Sequence, residues 1–405
     1  MLWILETLKE KWKFHHRFSN NSNHFVMLDH LMTSGGIRLE NGWSQLYKTT
    51  RLCLLLGASL MWIRFWFNFM EAGSFGAVMN NIHVSAIVLI TLVRAGWIQM
   101  NMKAFTEAKN YINGRSFRPH DSSAWEIRRN AYQKNHSLVT ICIVSVAALY
   151  VPVLLVDSRR IPPLRNPIEV REMTSDGFQL LLDKLYVVTL FPYGPATVTN
   201  VMSTYMLLEG FVAEMQIIAD AFGEIFDKMT HQTGVEHWRE LQASFRTCAD
   251  QHVICLNHLR NTRSLLNGTL LIVYYTTGFF ISIGTVYIMW TKDFEMFKIQ
   301  ILSLMMFNVL ECFFFCILVE RINNVHNSVG EQLYNIAWHS ELKYSKAFEK
   351  EYISIRATMM IVMHSADHTL GISCGGLFEL GMERFSELMK SSYQLVMFLW
   401  NMAGN

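Results

Sequence analysis

Three groupings of side chains have the types and spacing to do chemistry. His364 and His368 stand four apart with Asp367 between them, a spacing that puts two imidazoles on one helix face where a divalent metal could bind. No third ligand stands near them in the chain, so the pair is read as structural or solvent-facing, and no metal or cofactor is expected. Glu320-Arg321 echoes the acidic–arginine pair of G-protein-coupled receptors, but no Asn-Pro-x-x-Tyr follows it. Glu379, Glu383 and Glu387 are each four apart, which on one continuous helix would align three carboxylates. No P-loop, GxSxG or GxGxxG occurs, and nothing argues for an enzyme.

Beyond those acids, Leu395, Phe398, Asn401 and Met402 follow a three-to-four spacing and share a face. Around an axis of several subunits this stretch would present an acidic vestibule, an apolar constriction and then an amide. Acidic rings favour cations, and hydrophobic constrictions gate by dewetting. A plain membrane anchor with a solvated acidic base has the same spacing, and spacing alone leaves both readings open.

Charges inside apolar runs are costly in lipid and usually face protein. Arg64 and Arg94 are read as snorkelling or packing against a neighbouring loop, and Glu311, too short to reach an interface, as facing the interior. The seven cysteines are scattered without a CxxC pair, so neither a zinc site nor a disulfide framework is indicated.

The elements that must position these groups follow from composition. The chain has 405 residues, 51% hydrophobic and 17% charged, where a soluble domain carries nearer a quarter charged. A formal charge of +2 without a basic block argues against nucleic acid. Six runs, 52–70, 82–101, 138–156, 185–208, 269–290 and 299–319, meet the roughly 20 apolar residues that a spanning helix needs, and 385–403 makes a seventh. Pro192 and Pro195 should kink the fourth. The opening MLWILETLKEKWKFHH reads as an amphipathic surface helix rather than a secretory signal.

Basic residues set the orientation. The stretches 1–51, 102–137, 209–268 and 320–355 hold 23 of them, against seven in 71–81, 157–184 and 291–298, five of those in 157–184. The positive-inside rule then places the N-terminus in the cytoplasm and the C-terminus outside. The expectation is an all-α membrane protein of seven transmembrane helices with a cytoplasmic helical anchor region. Its divisions are an N-terminal segment 1–51, helices one to four in 52–208, cytoplasmic extensions 209–268, helices five and six in 269–319, anchor helices 320–376 and a pore-lining helix 377–405. Glycosylation sequons at Asn20, Asn135 and Asn267 all fall on the expected cytoplasmic side and should be unused.

The closing stretch GISCGGLFELGMERFSELMKSSYQLVMFLWNM resembles the C-terminal signature of insect odorant receptors. In that pattern a small-residue turn is followed by a Phe, a Lys-x-Ser-Tyr-like segment and an apolar tail. Phe385, Lys390, Ser391, Ser392 and Tyr393 occupy those places, and Tyr334 with Trp338 looks like the family's Tyr-x3-Trp segment. The resemblance implies a ligand-gated, non-selective cation channel, assembled as a tetramer with the family's co-receptor in the plasma membrane of an olfactory sensory neuron dendrite. The short stretch 102–137 makes this chain look like a tuning subunit, because the co-receptor has a much longer second cytoplasmic loop. Phe398-Leu-Trp-Asn-Met402 matches the co-receptor's Val-Leu-Val-Gln-Leu, which makes Phe398 and Met402 gate residues and Asn401 the stand-in for glutamine.

The same resemblance places an odorant pocket among the outer halves of helices two to six. The residues it implies are His83, Ile87, Tyr150, Leu154, Tyr186, Thr189, Tyr193, Phe279, Phe280, Met305 and Phe307. An aromatic, nearly apolar cavity with a few hydroxyls suits a small volatile molecule bound by shape and dispersion. The alternatives are a gustatory-type channel, whose Thr-Tyr-x5-Gln-Phe ending is absent, and a G-protein-coupled receptor, which requires an external N-terminus.

Overall fold

All seven prolines lie between Pro119 and Pro195, so nothing after position 195 interrupts a helix by removing a backbone donor. The longest helices accordingly follow. The computed structural model describes residues 18–19, 22–39, 44–71, 75–155, 176–230, 234–290, 296–336, 338, 342 and 344–403. Its helices in chain order are α1 (Val26–Ser34), α2 (Ser44–Glu71), α3 (Phe75–Met100), α4 (Met102–Gly114), α5 (Ser122–Leu155), α6 (Asp176–Leu190), α7 (Tyr193–Gly223), α8 (Gly234–Trp290), α9 (Met296–Asn335), α10 (Glu349–Ala366) and α11 (Met382–Ala403). Two short strands, β1 (Ser373–Cys374) and β2 (Phe378–Glu379), pair antiparallel between α10 and α11.

Among the described residues, Gln45–Phe67, Gly177–Gly223, Gly234–Met289 and Ile301–Asn335 are long and apolar enough to cross a membrane. The α3–α4 pair, bent by 68° at its break, counts as a fifth. With α5 and α11 these helices make a seven-helix membrane fold. The exposed apolar side chains suit a lipid surround: Leu52, Leu55, Leu56, Ile63, Trp66 and Phe67 line the outside of α2. The fourth span breaks in two, α6 ending at Leu190 and α7 restarting after Pro192. Pro195 falls in the first turn of α7, where its missing N–H costs no helix bond.

Helix α8 runs 57 residues and α9 40, roughly 85 and 60 Å at about 1.5 Å per residue. Both exceed the roughly 30 Å hydrocarbon core, so each continues past the membrane into a bundle with α10. Helix α7 is the axis of the molecule and packs against α9, α5, α8, α1 and α3. Buried on nearly all sides, it is apolar all round, as a central helix must be. Phe211, Met215, Ile218 and Phe222, spaced for one helical stripe, all lie in the core.

The two charges α7 carries inside are both paired. Arg128 of α5 grips Glu214 through Nε and Nη2, each 2.7 Å from a carboxylate oxygen. Glu209 takes Arg321 at 2.8 Å and Lys134 at 3.1 Å. The Glu320-Arg321 dipeptide thus supplies an anchor contact.

Between α10 and α11 the chain makes a tight hairpin. Gly375 and Gly376 both have positive φ, 61° and 83°, a backbone conformation that a Cβ disfavours. The hairpin is clamped to α8 at Asn267, whose Oδ1 accepts from Ser373 N at 3.0 Å and whose carbonyl accepts from Gly375 N at 3.1 Å. This clamp fixes where the last helix begins. It also occupies the sequon at Asn267, while Asn135 is buried in α5. Asn20 lies outside the described residues.

Candidate functional site

The residues that the resemblance assigns to a pocket divide into two groups. On the α3–α8 seam, His83 is buried with its ring 5.0 Å from that of Phe280, and Phe280 meets Phe279 edge to face at 5.7 Å. Both ring nitrogens of His83 are buried without a hydrogen-bond partner among the described residues. Ile87, one turn along α3, is half-buried, as is Met305 on α9. Phe279 and Phe307 are substantially exposed on the helix exteriors.

The second group gathers on α6 and α7 against α2. Tyr186 and Tyr193 share a small core with Leu54, Ala58, Met61 and Val88. The Tyr193 hydroxyl donates to the Leu54 carbonyl at 2.6 Å, the Tyr186 hydroxyl lies 2.6 Å from Met61 Sδ, and Thr189 donates to the Tyr186 carbonyl at 2.7 Å. These hydroxyls are therefore satisfied within the protein. The sequence reading drew the pocket from helices two to six and left out the first helix, whose side chains pack directly against these tyrosines. Its uninterrupted apolar face carries no polar mark that would single out Leu54 or Met61. Tyr150 and Leu154 belong to the last turns of α5, and their side chains lie outside the described residues.

Farther along α3, Arg94 forms an ion pair with Glu311 of α9. Nη1 donates to both carboxylate oxygens, at 2.8 and 3.1 Å, with side-chain exposures of 6% and 2%. This corrects the reading of Arg94 as a snorkelling residue: it is buried, and its guanidinium is bound by the acid on another helix. Arg94 Nε and Nη2 remain without partners among the described residues. Arg64 is buried as well.

The last helix also differs from expectation at its base. Glu379 belongs to β2, ahead of α11, and accepts a hydrogen bond from Thr369 Oγ1 at 2.7 Å. The residues that would have continued the helix backward are instead the end of β2 and the bend at Gly381. Three acids four apart therefore do not share one helix face. Glu383 and Glu387 do lie on α11, and Glu387 is paired with Arg384 at 2.6 Å. Leu388 and Ser392 face inward, and Phe385 packs 5.4 Å from Phe313. Leu395, Phe398 and Asn401 are exposed on the single chain, Phe398 by 60%. The side chain of Met402 lies outside the described residues. In the signature segment, Lys390, Ser391 and Tyr393 are exposed.

His364 and His368 sit with rings 4.6 Å apart, and His368 Nδ1 donates to the His364 carbonyl at 2.7 Å. No set of three metal-competent side chains gathers among the described residues.

A helical bundle with lipid-facing apolar surfaces, an orphaned polar ring among aromatics and an exposed last helix defines a multi-pass membrane protein. The family model described as 7tm Odorant receptor matches residues 74–393. Two solved structures of the insect olfactory receptor OR5 from Machilis hrabei share the fold. The one in complex with eugenol has a TM-score of 0.67 and the other 0.66, each at 12% identity, covering 93% of this chain and 97% of that one. No curated protein sequence matches. The chain belongs to the odorant receptor family, a family of ligand-gated channels rather than enzymes.

Proposed function

We propose that this chain is the odorant-tuning subunit of a non-selective cation channel. It takes a small volatile molecule between α3, α5, α6–α7, α8 and α9, and opens a pore lined by α11 together with co-receptor subunits in a heterotetramer. Its N-terminus lies in the cytoplasm and its C-terminus outside, in the plasma membrane.

The observation that carries the reading is His83. A buried imidazole with neither nitrogen bonded, beside Phe280, is an unusual polar group in an apolar bundle, and such groups call for an explanation. An odorant oxygen supplies one, with the aromatic rings providing the apolar contact. Currents recorded from cells expressing the chain with and without an insect odorant co-receptor, under a panel of volatiles, test the assignment. Odorant-evoked cation current is expected only with the co-receptor, and current from the chain alone would replace this reading with a homomeric channel. His83→Phe is expected to shift the half-maximal concentration about tenfold for oxygen-bearing odorants, the worth of one hydrogen bond of about 1.4 kcal/mol. Hydrocarbon ligands should be unaffected. Equal shifts for both classes would remove His83 from the polar role.

Phe398 is the gate side chain in this proposal, exposed on a helix that others must cover. Phe398→Ala is expected to raise basal current and alter ion permeation in the assembled channel, because it opens a hydrophobic constriction. Unchanged basal current, evoked current and permeation would refute it. Antibody access to an N-terminal tag in intact cells reads the orientation without relying on the sequons at Asn135 and Asn267.

A further inference from the structure

Two arginines below the apolar run of α8 have no acidic partner among the described residues. Arg263 and Arg260 precede Thr269 by six and nine positions, about 9 and 13 Å along the helix axis. With the apolar run beginning at 269 and headgroups adding roughly 5–8 Å on each side of the hydrocarbon, that is the outer edge of the headgroup layer and the water just beyond it. Both arginines line a cavity of about 120 Å³ together with His326, Ser365, His368 and Thr369.

The cavity is held open by backbone geometry. Arg263 Nη2 donates to the Leu370 carbonyl at 2.5 Å, and its guanidinium lies against Gly371. A Cβ at Gly371 would stand 2.8 Å from Nη2, and the residue's φ is +64°, so glycine there is what lets the guanidinium rest on the chain. That bond uses one of five N–H donors. His326 contributes no fixed charge: its Nε2 is 3.1 Å from the Ser365 carbonyl and its Nδ1 3.4 Å from His252 Nε2. Burial lowers His252 to about 4, and lowers His326 as well, so the stacked pair is neutral near pH 7. The lining residue Thr369 donates Oγ1 to the Glu379 carboxylate at 2.7 Å.

We infer that this cavity binds a phosphate monoester group, presented by an anionic lipid headgroup or by a soluble polyphosphate. Guanidinium groups match phosphate oxygens with paired, charge-assisted hydrogen bonds. The volume is well below the roughly 300–1,000 Å³ of pockets for whole small molecules and suits a group of phosphate size. Occupancy would tie α8 to the segment between α10 and β1, immediately ahead of the hairpin that starts α11. The site is separate from His83, and its test does not depend on odorant binding.

The full-length chain in nanodiscs is the sample. Native mass spectrometry reads retention of phosphatidylinositol bisphosphate in a phosphatidylcholine background, and calorimetry reads binding of soluble inositol trisphosphate. Saturable binding is expected, weakened about tenfold by Arg260→Gln and by Arg263→Gln, and retained by the control Arg246→Gln. Retention of the lipid alone assigns the group to a headgroup, whereas binding of both probes assigns it to phosphate from either source. Three results would overturn the inference. They are no saturable binding of either probe, wild-type binding by both glutamine variants, and an equal loss in Arg246→Gln.

Discussion

Arg128→Met is expected to leave little folded receptor at the cell surface. Arg128 binds Glu214 through two 2.7 Å contacts and also donates Nη2 to the Phe117 carbonyl at 2.8 Å. Both side chains are almost fully enclosed. Removing the arginine strands a carboxylate in the middle of α7, and breaking one half of such a pair costs about 3–5 kcal/mol. That is comparable with the whole stability of many domains. Arg115 cannot substitute, because its guanidinium is bonded to the Ser19 and Ser22 carbonyls. Fluorescence-detected gel filtration of detergent extracts should show loss of the monodisperse peak. Arg128→Met with Glu214→Leu should recover much of it, since a buried pair replaced by packed apolar groups is often neutral. A single variant that behaves as wild type would mean that Glu214 finds water or another cation.

The Arg94–Glu311 pair should respond differently to each half. Glu311→Leu leaves a guanidinium with three unsatisfied nitrogens within the bilayer, two of them, Nε and Nη2, already without partners in the native protein. A lone arginine at that depth costs about 2.5–3.5 kcal/mol on insertion scales, so surface abundance should fall sharply. Arg94→Met strands Glu311, which can take up a proton and become neutral, so this variant should be the better tolerated of the two. The double variant Arg94→Met with Glu311→Leu should express best. Comparing surface-biotinylated protein for the three variants checks the order. If Arg94→Met is the most damaging, Glu311 stays charged in the native protein for a reason other than this pair.

The spans were legible because about 20 apolar residues in a row leave few alternatives. The core stripe Phe211, Met215, Ile218 and Phe222 was legible because its period is that of one helix face. Pairing between spans was not. Nothing in the sequence around Arg94 names Glu311 as its partner, so the residue was read from its local surroundings alone. Glu379 was misplaced for the opposite reason: a four-residue period was extended backward through Gly381, where the chain bends out of β2 into the helix. The pocket reading rested on resemblance, and it brought His83 and Phe280 together while passing over α2. A helix whose outer face meets lipid and whose inner face meets tyrosines is apolar on both sides, and hydropathy cannot tell the faces apart.

The 217 residues between Arg94 and Glu311 also set a clock. At roughly 5–20 residues per second of synthesis, the arginine enters the membrane about 10–40 s before its acid is made. During that interval the early half of the molecule carries an uncompensated cation within the bilayer, and its third helix can settle only when the ninth arrives.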